Sequence, residues 1–190
     1  MTTRNTPLEI TIRRYGNFSD ELMQELHSRL RHKVIRKGDY LIKEGSISNS
    51  FYFVTKGGFR HYTVLDSGVE ATINLFVEND WVFDYKSFIS QAPSQNIIRA
   101  TEYSEVDGLS IMDFHELIRV SDNFFRLGKL LEQAVQNQDF QNNRLAPEEK
   151  YELLLASKPL VFQKFPLKHI ASYLGITPET LSRVRRKFIS

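Results

Sequence analysis

Glu179, Thr180, Ser182 and Arg183 stand within five positions of one another. Their groups are those that recognise base edges. An arginine can donate a bidentate pair to guanine O6 and N7, a carboxylate can accept from cytosine N4, and hydroxyls can reach base or phosphate. Arg185, Arg186 and Lys187 follow directly, and Lys168 lies upstream. These are point charges suited to phosphate oxygens, which fix register without reading sequence. Thr177 completes the set as the residue from which such a helix would start.

The elements that must position these groups are legible around them. Leu167, Ile170, Ala171 and Leu174 recur at helical spacing and make one apolar face, with Ala171 small enough for a second helix to cross closely. Gly175 can end that helix in the left-handed conformation, and Ile176 can plug the turn. Thr177 is a suitable N-cap and Pro178 a suitable first helical residue. Two helices joined by a tight glycine turn form a helix-turn-helix. A further helix should start at Pro147-Glu148-Glu149 and stop at Lys158-Pro159. Residues 147–190 hold eight Lys or Arg against four acids, and the rest of the chain holds 17 against 19. A mildly acidic body with a basic end points to a polyanion partner for that end, double-stranded DNA above all.

Ahead of this region the texture is β from Lys33 to Ile111. Short β-branched and aromatic runs such as Tyr40–Ile42, Phe51–Val54, Phe59–Val64, Ala71–Phe76 and Asn96–Ala100 are separated by turn residues. Regular short strands read as a roll or barrel, with hairpin turns expected at Lys56-Gly57-Gly58 and Asp66-Ser67-Gly68. A helix is expected over Asp20–Leu30, capped by Ser19. From Asp113 the period becomes helical, and Phe124, Leu127, Leu131, Ala134, Gln138, Gln141 and Leu145 recur at the seam spacing of a coiled coil. A dimer contact is the favoured reading, and a helix lying on its own β-domain is the alternative. The fold class is α+β. A double-stranded, jelly-roll-like β-roll with its N-terminal helix fills residues 1–120, a dimerisation helix spans 121–145, and a small all-α helix-turn-helix domain spans 146–190.

Composition excludes much else. Cysteine is absent, which removes disulfides, thiolate nucleophiles and Cys-ligated metals. The five histidines are scattered, with neither His-x-His nor His-Glu-x-x-His among them. The His-x-His of a β-roll metal oxygenase is therefore missing, and His61 reads as a surface or hairpin residue. We expect no catalytic residues, no metal and no cofactor. Apolar runs are far shorter than the roughly 20 residues of a membrane span, and residues 1–12 lack the pattern of a secretory signal, so a cytoplasmic location is expected.

Taken together, Lys37–Gly45, Phe51–Gly57 and Ile170–Arg183 resemble the Crp/Fnr family of transcriptional regulators, over nearly all of Asp20–Ile189. Glu179, Ser182 and Arg183 match the Glu-x-x-Ser-Arg pattern of its Fnr-like branch. The resemblance implies a homodimer joined through the central helix, an inverted repeat with TGA-containing half-sites, and RNA polymerase as a further partner. It also exposes two departures. Where cyclic-AMP-binding members carry Gly-Glu-x-x-Leu and Arg-Ser-Ala, this sequence has Phe83-Asp84-Tyr85 and Ser94-Gln95-Asn96. The arginine that would pair with the cyclic phosphate is thus Ser94, a loss of a charge-assisted contact, and no tight cyclic-nucleotide binding is expected. Arg99 should belong to the next strand. Members also continue into a β-hairpin wing, and a helix-turn-helix domain without one is expected here. An effector pocket for an unidentified small molecule has Tyr62, Ile73, Phe83, Asp84, Tyr85 and Phe88 as its candidates. The rival reading is a sensory or protein-interaction module of the same fold in which DNA binding is weak or lost.

Overall fold

The computed structural model describes residues 6–130 and 145–189. Thr6 and Glu9 form a capping box on helix α1 (Pro7–Arg13), and Ser19 caps α2 (Asp20–Arg29). The strands that follow are β1 (Arg31–Ile35), β2 (Tyr40–Ile42), β3 (Ser50–Lys56), β4 (Phe59–Val64), β5 (Glu70–Phe76), β6 (Trp81–Val82), β7 (Ile97–Ala100) and β8 (Ser104–Ser110). A short helix, α3 (Tyr85–Ser90), separates β6 from β7. The strands pair antiparallel in two four-stranded sheets, ordered β1-β8-β3-β6 and β2-β7-β4-β5. Arg99 lies in β7, as expected.

The pleat sorts side chains between two cores. Along β3, Phe51 and Phe53 pack against the helices, whereas Tyr52 and Val54 enter the space between the sheets with Phe59, Val82, Ile98 and Val106. Phe51 meets Trp81, Phe83, Phe88 and Phe114 edge-on at 5.4–6.4 Å, the arrangement that aromatic quadrupoles favour. Helix α4 (Ile111–Val120), capped by Ser110, starts two residues before the expected Asp113.

Three expectations change. Lys56-Gly57-Gly58 is not a hairpin turn, because β3 and β4 lie in different sheets and the segment crosses between them. Asp66-Ser67-Gly68 is the true hairpin, closing β4 on β5. The central segment begins as a 3₁₀ helix over Asp122–Gly128, and Phe124 and Leu127 are buried in their own chain's core beside Phe18 and Leu117. The start of the apolar seam thus covers the β-domain; its continuation through residues 131–144 lies outside the described residues. Finally, His61 is not at the surface but 3% exposed on β4, an inner strand of its sheet, stacked on Phe76.

The C-terminal region folds as α5 (Pro147–Ser157), α6 (Val161–Lys164), α7 (Leu167–Leu174) and α8 (Pro178–Ile189). No described helix is long and apolar enough to cross a membrane.

Gly57 has a φ of +91°, and an added Cβ would fall 2.7 Å from the Ser104 backbone. Gly57→Ala should lower the unfolding free energy by about 2–4 kcal/mol through left-handed strain and overpacking, measured by urea denaturation. Burial holds the His61 imidazole neutral, with a pKa lowered to about 4 from 6.5 despite the opposing charge of Asp84. The unfolded chain therefore takes up this proton first. Stability from His61 is complete above about pH 6.5 and is lost as the pH falls towards 4, by about 3 kcal/mol. Urea midpoints between these limits should show a smaller acid dependence in His61→Asn than in the parent.

Candidate nucleic-acid interface

Gly175, at φ +67°, ends α7, and its N–H bonds back to the carbonyls of Ala171 and Ser172. Lys150 Nζ donates to the Leu174 carbonyl at 3.0 Å, placing a cation where the helix exposes unpaired acceptors. Thr177 Oγ1 accepts the Thr180 N–H at 3.2 Å and so caps α8. Leu181 and Val184 are buried against Ile170, Ala171 and Leu174. That burial fixes the rotation of α8, and Glu179, Arg183, Arg186 and Lys187 come together on an open groove of its outer face. Thr180, Ser182 and Arg185 are half-buried along its flanks, and Lys168 is exposed on α7. The Glu179 carboxyl is held below its usual pKa by backbone N–H at the helix start and by the Thr177 hydroxyl, which suits an acceptor role. Lys187 donates to Glu148 at 2.8 Å, an exposed pair of small worth that phosphate contact can displace.

The sequence gives little sign of how α7 is held. Its other side lies on β5. The Thr72 N–H donates to Ser172 Oγ at 2.9 Å, and Leu75 and Val77 are buried with Tyr173, Leu174 and Phe165. Lys158 bonds Asp80 at 2.9 Å, and Lys164 reaches Glu78 at 2.6 Å and Glu102 at 2.7 Å. Burial alone would lower the Lys164 pKa, but the hydrogen bonds to Glu102 and Glu78 outweigh it, and the ammonium is held above its usual range. Desolvation raises Tyr173 to about 12 and lowers His169, which also faces Arg60 and Lys168, to about 4. The helix-turn-helix and the roll therefore share a packed, ion-paired boundary. Its only sequence signal is that Leu75 and Val77 are apolar at positions that would otherwise face solvent.

The six candidate effector residues separate. Ile73, Phe83 and Tyr85 line one cleft of about 980 Å³. Ile73 reaches it because the β4–β5 register shifts between Tyr62–Thr72 and His61–Asn74, leaving Ile73 as an extra residue, and such bulges re-aim side chains. Tyr62 is buried under the Arg60 guanidinium instead, 4.4 Å from its ring centroid. Phe88 is consumed by the aromatic core. Asp84 is 1% exposed and structural: it caps α3 through the Lys86 and Ser87 N–H groups and accepts from Ser94 Oγ at 2.5 Å and Asn96 Nδ2 at 3.0 Å. The segment aligned with a phosphate cassette is thus closed on itself around a carboxylate. Among the described residues, no group of three or more His, Asp or Glu is placed to hold a metal ion.

Comparison with known proteins agrees with this geometry. Residues 32–121 match the family model of the cyclic nucleotide-binding domain. No curated protein matches the chain. FixK2 from Bradyrhizobium japonicum superposes with a TM-score of 0.69 at 16% identity, over 84% of each chain. The catabolite activator protein of Thermus thermophilus does so with a TM-score of 0.59 at 21% identity, over 97% of this chain and 87% of its own. A regulator from Eubacterium rectale assigned to the Crp/Fnr family gives 0.61 at 16% identity, over 90% of this chain and 83% of its own. With the β-roll, the glycine turn and the exposed basic face of α8 in one chain, residues 32–121 are a cyclic nucleotide-binding domain, carried within the fold of the Crp/Fnr transcriptional regulators.

Proposed function

We propose that this chain is a sequence-specific, DNA-binding transcriptional regulator of the Crp/Fnr type and not an enzyme. It acts as a cytoplasmic homodimer on an inverted repeat with TGA-containing half-sites, with RNA polymerase as its further partner. The observation that carries the reading is the outer face of α8, where Glu179, Arg183, Arg186 and Lys187 are exposed together while Leu181 and Val184 anchor the helix. Arg183 and Glu179 are assigned to base edges, Thr180 and Ser182 to base or phosphate, and Thr177, Lys168, Arg185, Arg186 and Lys187 to positioning on the backbone.

Cyclic AMP is not the effector in this reading. A cyclic phosphate at Phe83–Tyr85 and Ser94–Asn96 would meet the buried Asp84 carboxylate, whose hydrogen-bonding capacity is already taken up by its own segment. Regulation instead runs through β5. Asn74 and Phe76 line the cleft, while Leu75 and Val77 carry the helix-turn-helix, so a change on one side of the strand alters the platform on the other.

Fluorescence anisotropy against a duplex with an inverted TGA-type repeat, and against a scrambled duplex, tests the reading. The repeat should be preferred, and its binding should weaken steeply with salt as phosphate contacts release counterions. Arg183→Ala should cost about 1–3 kcal/mol on the repeat and relax the preference, whereas Arg186→Ala should weaken both duplexes alike and reduce the salt slope by about one. Equal, salt-insensitive binding to both duplexes would favour a sensory module without DNA recognition.

A further inference from the structure

The cleft at the junction of α1, the β4–β5 pair and the helical domain holds two polar groups that the fold leaves unpaired. Among the described residues, His61 Nε2 and Trp81 Nε1 are both buried without a hydrogen-bond partner, and both residues line the cleft. Buried donors and acceptors in folded proteins are almost always satisfied, by protein or by something bound. His61 is 3% exposed.

The remaining walls have two characters. Ile73, Phe76, Phe83, Tyr85 and Leu130 present an apolar and largely aromatic surface. At the rim stand Arg14 and Lys129, both exposed and neither paired with a carboxylate among the described residues. Of the two acids nearby, Asp80 is engaged by Lys158 and by the Val77 N–H, and Asp84, whose charge reaches His61, is held by Lys86, Ser87, Ser94 and Asn96. The cleft therefore carries surplus positive charge on a body that is otherwise mildly acidic. A cation pair at the mouth, unpaired polar groups on the floor and aromatic walls between them describe a site for an anion with a planar apolar body.

We propose that this cleft binds a small aromatic carboxylate, its ring between Phe76, Phe83 and Tyr85, its acid group on Arg14 and Lys129, and a polar atom on the Trp81 N–H and His61 Nε2. The site borders the closed Asp84 cassette, sharing Phe83 and Tyr85 with it, and requires no cyclic phosphate. Burial keeps His61 neutral despite the Asp84 charge beside it, so the floor offers an anion no cation and the acid belongs at the rim. Lys158 brings the helical domain to the same cleft, and the ligand thus touches both halves of the chain. Only this last consequence, an effect on DNA binding, rests on the reading given under Proposed function.

Trp81 is the chain's single tryptophan, so its emission reports on the cleft directly and without DNA. The full-length protein is titrated with 4-(4-hydroxyphenyl)butyrate, whose phenol supplies the polar atom for the floor, with the uncharged 4-(4-hydroxyphenyl)butan-1-ol and with cyclic AMP under selective tryptophan excitation. Saturable change is expected with the acid, at an affinity roughly tenfold above that of the alcohol, and none with cyclic AMP. Arg14→Gln with Lys129→Gln, two exposed changes that leave the cores intact, should abolish the difference between acid and alcohol. His61→Phe, which keeps the ring, should weaken both compounds. The proposal is overturned if the acid gives no saturable change, if acid and alcohol bind equally to the parent, or if cyclic AMP binds at Trp81 more tightly than the acid. DNA affinity, measured separately by anisotropy, can fail without touching any of these outcomes.

Discussion

Strand β5 is buried from two sides, and the arrangement of the molecule follows from that. One set of its side chains closes the roll and lines the cleft; Leu75, with Val77 just past the strand's end, enters the core of the helix-turn-helix. Each such residue removed from water contributes on the order of 1.5–3 kcal/mol, far more than the exposed ion pairs elsewhere. The helical domain is thereby carried on the roll, and α8 is left with its charged face outward.

The polar contacts at this boundary confer direction more than strength. Lys164 sits between Glu78 and Glu102 and also reaches the Gly57 carbonyl at 3.4 Å, so it ties the crossing between the two sheets to the helical domain. Lys158 and Asp80 do the same at the mouth of the cleft. Partly buried pairs of this kind fix register because the wrong register would strand a charge. The cleft side of the roll and the side that carries α7 and α8 are consequently one packed neighbourhood, separated by the thickness of a strand.

Two polar features of the β-roll point in opposite directions. Around Asp84 the fold spends its hydrogen bonds internally, with Ser94 and Asn96 in place of an arginine. Around His61 and Trp81 it leaves them open. A domain of cyclic nucleotide-binding architecture can thus combine a loop closed around a carboxylate with a chemically distinct recess, because the roll's shape comes from strand pairing and the recess from a few side chains at a bulge.

Sequence alone determined what is local. The glycine turn at Gly175, the Thr177 cap, Pro178, the faces of α7 and α8 and most strand segments depend on contacts within a few residues, and composition excluded cysteine chemistry. The exposed polar and basic set from Glu179 to Lys187 was legible because an amphipathic helix declares both its buried and its exposed face. Tertiary structure decided what depends on partners distant in the chain. His61 looked like a hairpin residue until β4 proved to be an inner strand under cover. Phe124 and Leu127 looked like a dimer seam until they met Phe18 and Leu117. Asp84 and Phe88 looked like pocket residues until a cap and an aromatic cluster claimed them, and the Lys56-Gly57-Gly58 turn proved to pass between sheets. In each case the periodicity gave the correct side of the element but not what that side would face, which only long-range packing sets.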